Sequence, residues 1–369
     1  MKNSSLTISA FKNSKNIFKI QVFSILAILL FLSCDGSSNN DEANSTPSNL
    51  VFTAEVLGTT TENPNGDGSG KVILNFSAEN ATSYKINLGN GQILETSAKT
   101  IPYTYIGKGT NTYEIFVSAY NSDKFISASK TITIYVAPAL VWADEFNTNG
   151  SPDTTKWGYD LGAGGWGNNE SQYYTDRAEN VIVKDGFLKI TAKKEDYQGS
   201  QYTSARMLTA GKFDFKYGKV EVRAKLPEGG GTWPAIWMLG SNINSVGWPA
   251  CGETDIMEHA GNRQGAVSSA MHTTSSSGNT VNHGAQNIPT VSTEFHVYAV
   301  EWTSEKMTFS VDGVAHYTYN PPTKNSSTWP FDANQFIILN VAMGGSFGGA
   351  IDPNFVSSTM EIDYVRVYQ

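Results

Sequence analysis

The sequence predicts an all-β protein in which a small β-sandwich precedes a large antiparallel β-sandwich of jelly-roll type. Three observations support this fold class. Short segments of alternating apolar and polar residues recur along the chain, turn-forming residues separate them, and no convincing amphipathic helix follows residue 33. Alternation with a period of two residues is typical of strands that bury one face. We therefore expect antiparallel sheets packed face to face.

The chain begins with an export signal. Several lysines precede an apolar segment, residues 20–32, that is too short for an ordinary membrane-spanning helix. The segment ends before Cys34 in a pattern that resembles a bacterial lipobox, in which the cysteine is lipidated. We expect a signal peptide over residues 1–33 and an exported bacterial lipoprotein at the outer membrane or cell surface. Plain secretion is the alternative.

Residues 34–49 are predicted to form a disordered tether, because they contain almost no apolar side chain. Lipid on Cys34 would leave Cys251 as the only other cysteine of the chain. No internal disulfide could then form, so stability must come from the core.

Residues 50–137 predict the small β-sandwich. The β-rich segments alternate with turn residues, and Asn90-Gly91 is a strong hairpin signal; the segments are residues 71–76, 83–88, 112–119 and 131–136. The patterns at residues 83–91 and 112–115 resemble a PKD-like module of immunoglobulin type. No cluster of carboxylates or histidines occurs here, so we interpret the module as a spacer.

Residues 138–369 predict the large sandwich, with Pro138 marking its start. Residues 219–226 alternate charged and apolar side chains, as a half-buried strand does. Similar alternation occurs at residues 307–311, closed by Asp312-Gly313, and at residues 360–368.

The 34 acidic and 26 basic residues give a modest negative charge, which argues against nucleic acid or an anionic membrane surface as partner. A neutral ligand fits better.

Three carboxylates fall within six residues of one predicted strand: Glu253, Asp255 and Glu258. On a regular strand Glu258 would face away from the other two, but a β-bulge at Ile256 or Met257 would return it to their face. Acids crowded in this way repel one another, so at least one should have a raised pKa and supply an acid beside a base. A solvated acidic edge and a calcium-binding cluster in a lectin are the alternatives.

His272 follows a hairpin-like segment at residues 260–265. A turn centred near Asn262 would place it opposite about Glu253 on the neighbouring strand. We therefore expect His272 to lie with the carboxylates, although a lone histidine is more often a packed structural residue.

The segment Glu253-Thr254-Asp255-Ile256-Met257-Glu258-His259 resembles the E-x-D-x-x-E signature of glycoside hydrolase family 16 in its bulged form. The likeness covers nearly all of residues 140–369, through the segments 142–146, 166–170, 233–239, 295–302 and 362–368. The resemblance implies a concanavalin-like jelly roll. It also implies that Glu253 is the nucleophile, Glu258 the acid/base and Asp255 an assisting residue, with His272 supporting them.

The resemblance also implies where substrate and metal would bind. Substrate-binding positions fall on Asn168, Arg206, Trp233, Trp237 and Trp248, and aromatic rings at such positions can stack on sugar rings. We expect the tryptophans at 142, 157 and 302 to be core residues instead. A structural calcium would use Glu145, Gly186 and Asp363, whose oxygens suit that ion, and catalysis itself needs no cofactor.

The expected function is therefore an endo-acting, retaining β-1,3-glucanase of laminarinase type, or a β-1,3-1,4-glucanase, that acts as a monomer on β-glucan. A galactan hydrolase of the same fold is an alternative, because agar, porphyran and carrageenan are cut by related proteins. A non-catalytic surface glycan-binding protein and an adhesive surface protein are the others. The small module could also bind sugar separately.

Overall fold

The computed structural model describes residues 45–369. The predicted signal peptide, Cys34 and most of the predicted tether lie outside the described residues. Within residues 45–369, no helix is long and apolar enough to cross a membrane.

The first seven strands form two antiparallel sheets that enclose their own apolar core. A three-stranded sheet has the order β1-β2-β5, and a four-stranded sheet has the order β4-β3-β6-β7. The strands are β1 (Ser48–Val56), β2 (Lys71–Glu79), β3 (Ser83–Asn87), β4 (Ile93–Thr96), β5 (Thr100–Thr104), β6 (Gly109–Asn121) and β7 (Lys124–Val136). All four strand segments expected here from the sequence are present, and β3 and β4 form the hairpin expected at Asn90-Gly91.

The first strand begins at Ser48, two residues before the predicted start of the module. Alternation explains the core, because every second residue of β2 and β3 is buried between the sheets; examples are Val72, Leu74, Tyr84 and Ile86.

Seventeen further strands build the large sandwich. They are β8 (Leu140–Asp144), β9 (Gly158–Asp160), β10 (Gln172–Tyr174), β11 (Val181–Lys184), β12 (Phe187–Tyr197), β13 (Ser200–Ser204), β14 (Arg206–Leu208), β15 (Gly218–Lys225), β16 (Thr232–Gly240), β17 (Glu253–His259), β18 (Ala266–His272), β19 (His283–Asn287), β20 (His296–Trp302), β21 (Met307–Val311), β22 (Val314–Tyr319), β23 (Gln335–Met343) and β24 (Ser357–Tyr368). Two four-residue helices, α1 (Ile243–Val246) and α2 (Gly345–Gly348), lie in loops.

These strands form two sheets. The ten-stranded sheet has the order β10-β13-β12-β24-β15-β20-β21-β22, with β11 paired to β12 and β8 paired to β24. The seven-stranded sheet has the order β19-β18-β17-β16-β23-β14-β9. All pairs are antiparallel except β10–β13, which is parallel. The all-β, jelly-roll prediction is confirmed.

Alternating residues of both sheets meet in one large core. Val220, Val222 and Ala224 of β15 are buried, as the sequence pattern predicted. Trp157 and Trp302 are also buried, and Trp142 packs against the same core. The opposite face of the seven-stranded sheet points away from the ten-stranded sheet, and we call it the outer face. It carries the site described next.

Candidate active site

Strand β17 contains the predicted β-bulge. Ile236 of β16 pairs with Met257 and Trp237 pairs with Asp255, which leaves Ile256 as the extra residue. Ile256 and Met257 are both buried in the core between the sheets. Two adjacent apolar side chains can enter the same core only if the strand departs from strict alternation. The bulge therefore returns Glu258 to the outer face beside Glu253 and Asp255.

His272 lies where the sequence predicted, directly opposite Glu253 in the β17–β18 pair. Its Nε2 atom is 3.1 Å from Asp255 Oδ2 and 3.7 Å from Glu253 Oε1. One ligand atom from each of these three residues falls within 4.8 Å of the others, which is close enough for a metal ion as well as for an acid–base cluster. The structure thus brings together His272 and the carboxylates.

Two tryptophans hold the outer members of the carboxylate group. Trp233 Nε1 donates a hydrogen bond to Glu258 Oε1 at 3.0 Å, and Trp248 Nε1 donates one to Glu253 Oε2 at 2.9 Å. Trp248 is 48% exposed, so its ring remains available to a ligand. The sequence had placed both tryptophans near a substrate but had not indicated their bonds to the acids.

Burial dominates the electrostatics of the three acids. It raises the pKa of Glu253, Asp255 and Glu258 to about 8 each. Repulsion from Asp255 raises the pKa of both glutamates further, while His272 and the tryptophan N–H groups oppose the rise. Because neighbouring charges repel, the cluster keeps protons near neutrality, as an acid–base site requires.

A second group on the outer face centres on Arg206. Its guanidinium lies 4.6 Å from the centre of the Trp237 ring and 5.1 Å from that of Trp166, and its Nε is 3.0 Å from Asp160 Oδ2. Trp237 Nε1 donates to Asn340 Oδ1 at 2.7 Å. Arg206 and Trp237 were predicted from the sequence. Trp166, Asp160 and Asn340 were not. The pairing of β14 with β9 and β23 brings Asp160 and Asn340 here, and Trp166 lies in the 3₁₀ turn at Gly165–Gly167.

Asn168 lies at the edge of this face, in the loop after a 3₁₀ turn at Gly165–Gly167. Its side chain donates to Glu170 Oε1 at 3.2 Å, and its carbonyl accepts a hydrogen bond from Ser346. A Cβ atom at Gly345 would stand 2.9 Å from the Asn168 carbonyl oxygen and 3.3 Å from the Trp233 ring. The loop thus reaches the Trp233 side of the site. Its neighbour Glu170 was not among the residues predicted for the site.

The predicted calcium ligands do not fit a calcium ion in the arrangement described. Glu145 accepts two hydrogen bonds from Arg366, each 2.8 Å long, and Asp363 pairs with Arg223. Gly186 lies in the turn between β11 and β12. A cation would have to displace both arginines from these carboxylates, so we assign no metal-dependent step to this region.

Comparisons with known proteins identify the family of this chain. A β-glucanase of Rhodothermus marinus is 46% identical over 242 residues, which are 62% of this chain and 85% of the relative. A glucan endo-1,3-β-glucosidase A1 of Niallia circulans is 38% identical over 262 residues, or 38% of its length. The crystal structure of a laminarinase from Flavobacterium sp. UMI-01 superposes with a TM-score of 0.59 at 48% identity, covering 62% of this chain and all of that one. The family model for glycosyl hydrolases family 16 matches residues 168–366, and the chain belongs to that family.

Proposed function

We infer that this glycoside hydrolase is an endo-acting, retaining β-glucan hydrolase that cuts β-1,3 linkages, as in laminarin, or β-1,3-1,4 glucans. The observation that carries the inference is the bulged strand β17, which sets one buried and two partly buried acids on one face, where two tryptophan N–H groups bond the glutamates. The named activities of the β-glucanase and laminarinase relatives support the substrate class.

We assign the chemistry to the two glutamates. Glu253 attacks the anomeric carbon while Glu258 gives its proton to the leaving glycosidic oxygen, forming a glycosyl–enzyme ester. Glu258, now ionised, takes a proton from water, which attacks the same carbon and releases Glu253. Asp255 lies between them, and His272 lies 3.1 Å from it, so these two orient and tune the nucleophile.

The raised pKa values support a proton donor in the cluster. A pKa of about 8 keeps Glu258 protonated at neutral pH, as a proton donor must be. Burial raises the pKa of Glu253 to about 8 as well, although His272 and the Trp248 N–H oppose the rise. We therefore base the order of the two roles on the family resemblance, and we use the raised pKa values only as support for a proton donor within the cluster.

Charge on the outer face favours a neutral glucan over a sulfated galactan. Arg206 is paired with Asp160 and enclosed by two indole rings, and Arg263 lies over the Phe347 ring with 4.4 Å to its centre. A sulfate would have to compete for these cations or lose solvation without a partner. Aromatic rings and amides suit the faces and hydroxyls of glucose.

A glycan-binding protein without activity is the second candidate that the sequence left open. It would need a sugar-binding face but not three crowded acids that are partly or fully buried. Leaving such acids unpaired by cations costs free energy of folding, so a binding protein would gain from losing them. All three are present here.

The test is to incubate the purified protein with laminarin, lichenan and agarose and to size the products. We expect short oligosaccharides from laminarin or lichenan, and proton NMR should show the β anomer first. Initial α anomer would exclude retention, and faster cleavage of agarose would exclude the glucanase assignment. Absence of any cleavage would favour the binding protein.

We propose in addition that the protein is exported and anchored by lipid on Cys34, with residues 50–137 as a spacer and with the hydrolase acting as a monomer. The support is the basic and apolar pattern of the N-terminal residues together with the polar segment that follows. Such an anchor would hold the enzyme where large polysaccharides arrive from outside the cell.

A further inference from the structure

The bulge in β17 is held by a side chain as well as by its neighbouring strands. Ser269 Oγ donates a hydrogen bond of 2.7 Å to the carbonyl oxygen of Ile256, the extra residue of the bulge. Ser269 is the one residue of β18 that lies opposite both Ile256 and Met257, and it is fully buried. The hydroxyl supplies a partner to a carbonyl that the bulge removes from regular pairing.

Ser269 is itself bonded to a histidine from the other sheet. His316 Nε2 lies 2.9 Å from Ser269 Oγ. A serine hydroxyl has one proton, and Ser269 gives it to Ile256, so His316 must donate through Nε2–H. Burial lowers the pKa of His316, which favours the neutral ring. The neutral ring then carries its proton on Nε2, and its buried Nδ1, which has no partner, is the deprotonated nitrogen.

His316 reaches Ser269 because β22 has a bulge of its own. Phe309 pairs with Tyr317 and Ser310 pairs with Ala315, which makes His316 the extra residue of β22. β22 also lies close to β19, since a Cβ atom at Gly284 would be 2.6 Å from the Tyr317 side chain. The second bulge thus aims an imidazole from the edge of the ten-stranded sheet at the first bulge.

We propose that Ser269 and His316 are positioning residues that fix the β17 bulge and thereby set the carboxyl of Glu258 against the glycosidic oxygen. The inference rests on the proposed function, because it takes Glu258 as the proton donor. Glu258 follows Ile256 by two residues, and its carboxyl is fixed from the other side by Trp233 at 3.0 Å. Loss of the Ser269 bond releases one of these two constraints and leaves the other.

The first test is Ser269→Ala, assayed on two aryl glycosides of a β-1,3-linked glucose disaccharide. A dinitrophenyl leaving group departs without a proton, whereas an unsubstituted phenyl group needs one, and kcat/KM reports the step in which it leaves. We expect kcat/KM to fall about tenfold for the phenyl glycoside, since a misplacement of about 1 Å can cost 10²-fold, and to change little for the dinitrophenyl glycoside. Equal losses on both substrates, or no loss on either, would overturn the proposal.

The second test compares His316→Gln with His316→Met. The two side chains are similar in size, but only glutamine offers an N–H to Ser269. We expect glutamine to retain most of the wild-type kcat/KM on the phenyl glycoside and methionine to reproduce the loss of Ser269→Ala. Equal activities of the two variants would contradict a donor role. This pair decides the question if Ser269→Ala does not fold.

The control is Thr318→Ala, which removes a hydroxyl from the same strand as His316. Thr318 bonds Thr308 on the exposed side of the ten-stranded sheet, and we expect wild-type kinetics. The wild-type protein separates the two hypotheses. If it cleaves neither glycoside nor laminarin, the proposed function fails. If it cleaves them and the Ser269 and His316 variants match it, only the positioning role fails.

Discussion

The two β-sandwiches place their carboxylates in opposite environments. In the small sandwich, Glu95 pairs with Lys85 at 3.0 Å on the surface, where the two side chains are 71% and 46% exposed. In the large sandwich, the side chains of Glu253 and Asp255 are 18% and 6% exposed. Both regions are antiparallel sheets around an apolar core of their own, so the fold class does not explain the difference.

The difference shows that the acids of β17 lower the folding stability of the large sandwich. Water solvates the Lys85–Glu95 pair, which therefore contributes little to folding. The acids of β17 have lost water and have no lysine or arginine ion pair within 4.0 Å among the described residues, so folding disfavours their charged forms. Buried acids held by aligned N–H donors are typical of catalytic sites.

The largest expected effect is loss of turnover in Glu253→Gln and Glu258→Gln. Each change keeps the shape and the bond from a tryptophan N–H but removes the nucleophile or the proton donor. We expect activity on laminarin to fall on the order of 10³-fold or more. Glu95→Gln in the small sandwich is the control and should cleave at the wild-type rate. Near-normal turnover in either site variant would disprove the assignment.

The second prediction concerns stability and pH. The pKa of Glu258 is about 8 in the fold and 4.5 ordinarily, so between these values the folded protein holds a proton that the unfolded chain has released. The free energy of unfolding must then decrease as pH rises through this range. Glu258→Gln removes the titrating group, so we expect it to raise Tm by about 3 °C more at high pH than at low pH.

Thermal unfolding followed by circular dichroism at about pH 5 and about pH 8 measures this difference directly. Glu95→Gln is the control, because it removes a 71% exposed carboxylate from the surface of the small sandwich. An equal shift for Glu258→Gln would mean that burial does not destabilise the charged form of that acid.

Much of this site could be predicted because its decisive signals are local. The spacing of the three acids predicted a bulge at Ile256 or Met257, because a regular strand would turn Glu258 away from the other two. The short hairpin after β17 predicted His272 opposite about Glu253. The partners of Arg206 and Trp237 could not be predicted. Trp237 and Asn340 are 103 residues apart, and only the order of β16, β23 and β14 in the sheet makes them neighbours.

The predicted calcium ligands show a different limit. The spacing of Glu145 and Asp363 carried no information about the arginines that reach them. A long flexible side chain can reach several neighbours once the strands have paired. Alternation therefore predicts the face of the sheet on which it lies but not the residue that it bonds. The hydrogen bond from His316 to Ser269 could not be predicted either, because it depends on bulges in two different strands.

A smaller effect on kinetics is expected from removal of exposed aromatic rings. The KM for glucan should change in the large sandwich but not in the small one. Trp248→Ala removes a ring worth about 1 kcal/mol in stacking and also the N–H to Glu253, so KM for laminarin should rise about fivefold while kcat falls. Trp248→Phe keeps a ring but loses the N–H to Glu253, so it should lower kcat more than it raises KM. Phe125→Ala removes a 54% exposed ring from the small sandwich and should change neither parameter.

Initial-rate kinetics on laminarin measure all three variants. A raised KM in Phe125→Ala would show that the small sandwich contributes to glucan binding. Unchanged KM in Trp248→Ala would remove that ring from the substrate-binding surface.

The smallest expected effect on catalysis comes from Cys34→Ala, although its effect on location should be complete. Residues 35–137 lie between Cys34 and the large sandwich in the sequence, so we expect the change to leave the acids of β17 unaffected. Two lipid chains on one protein hold it firmly to a membrane. Removing the cysteine that carries them would remove this attachment. We expect the variant in the soluble fraction of expressing cells with unchanged kcat on a short soluble glucan. A variant that stays with the membranes as firmly as the wild type would contradict the anchor, and a lower kcat on the short substrate would mean that the spacer does not isolate the site from its attachment.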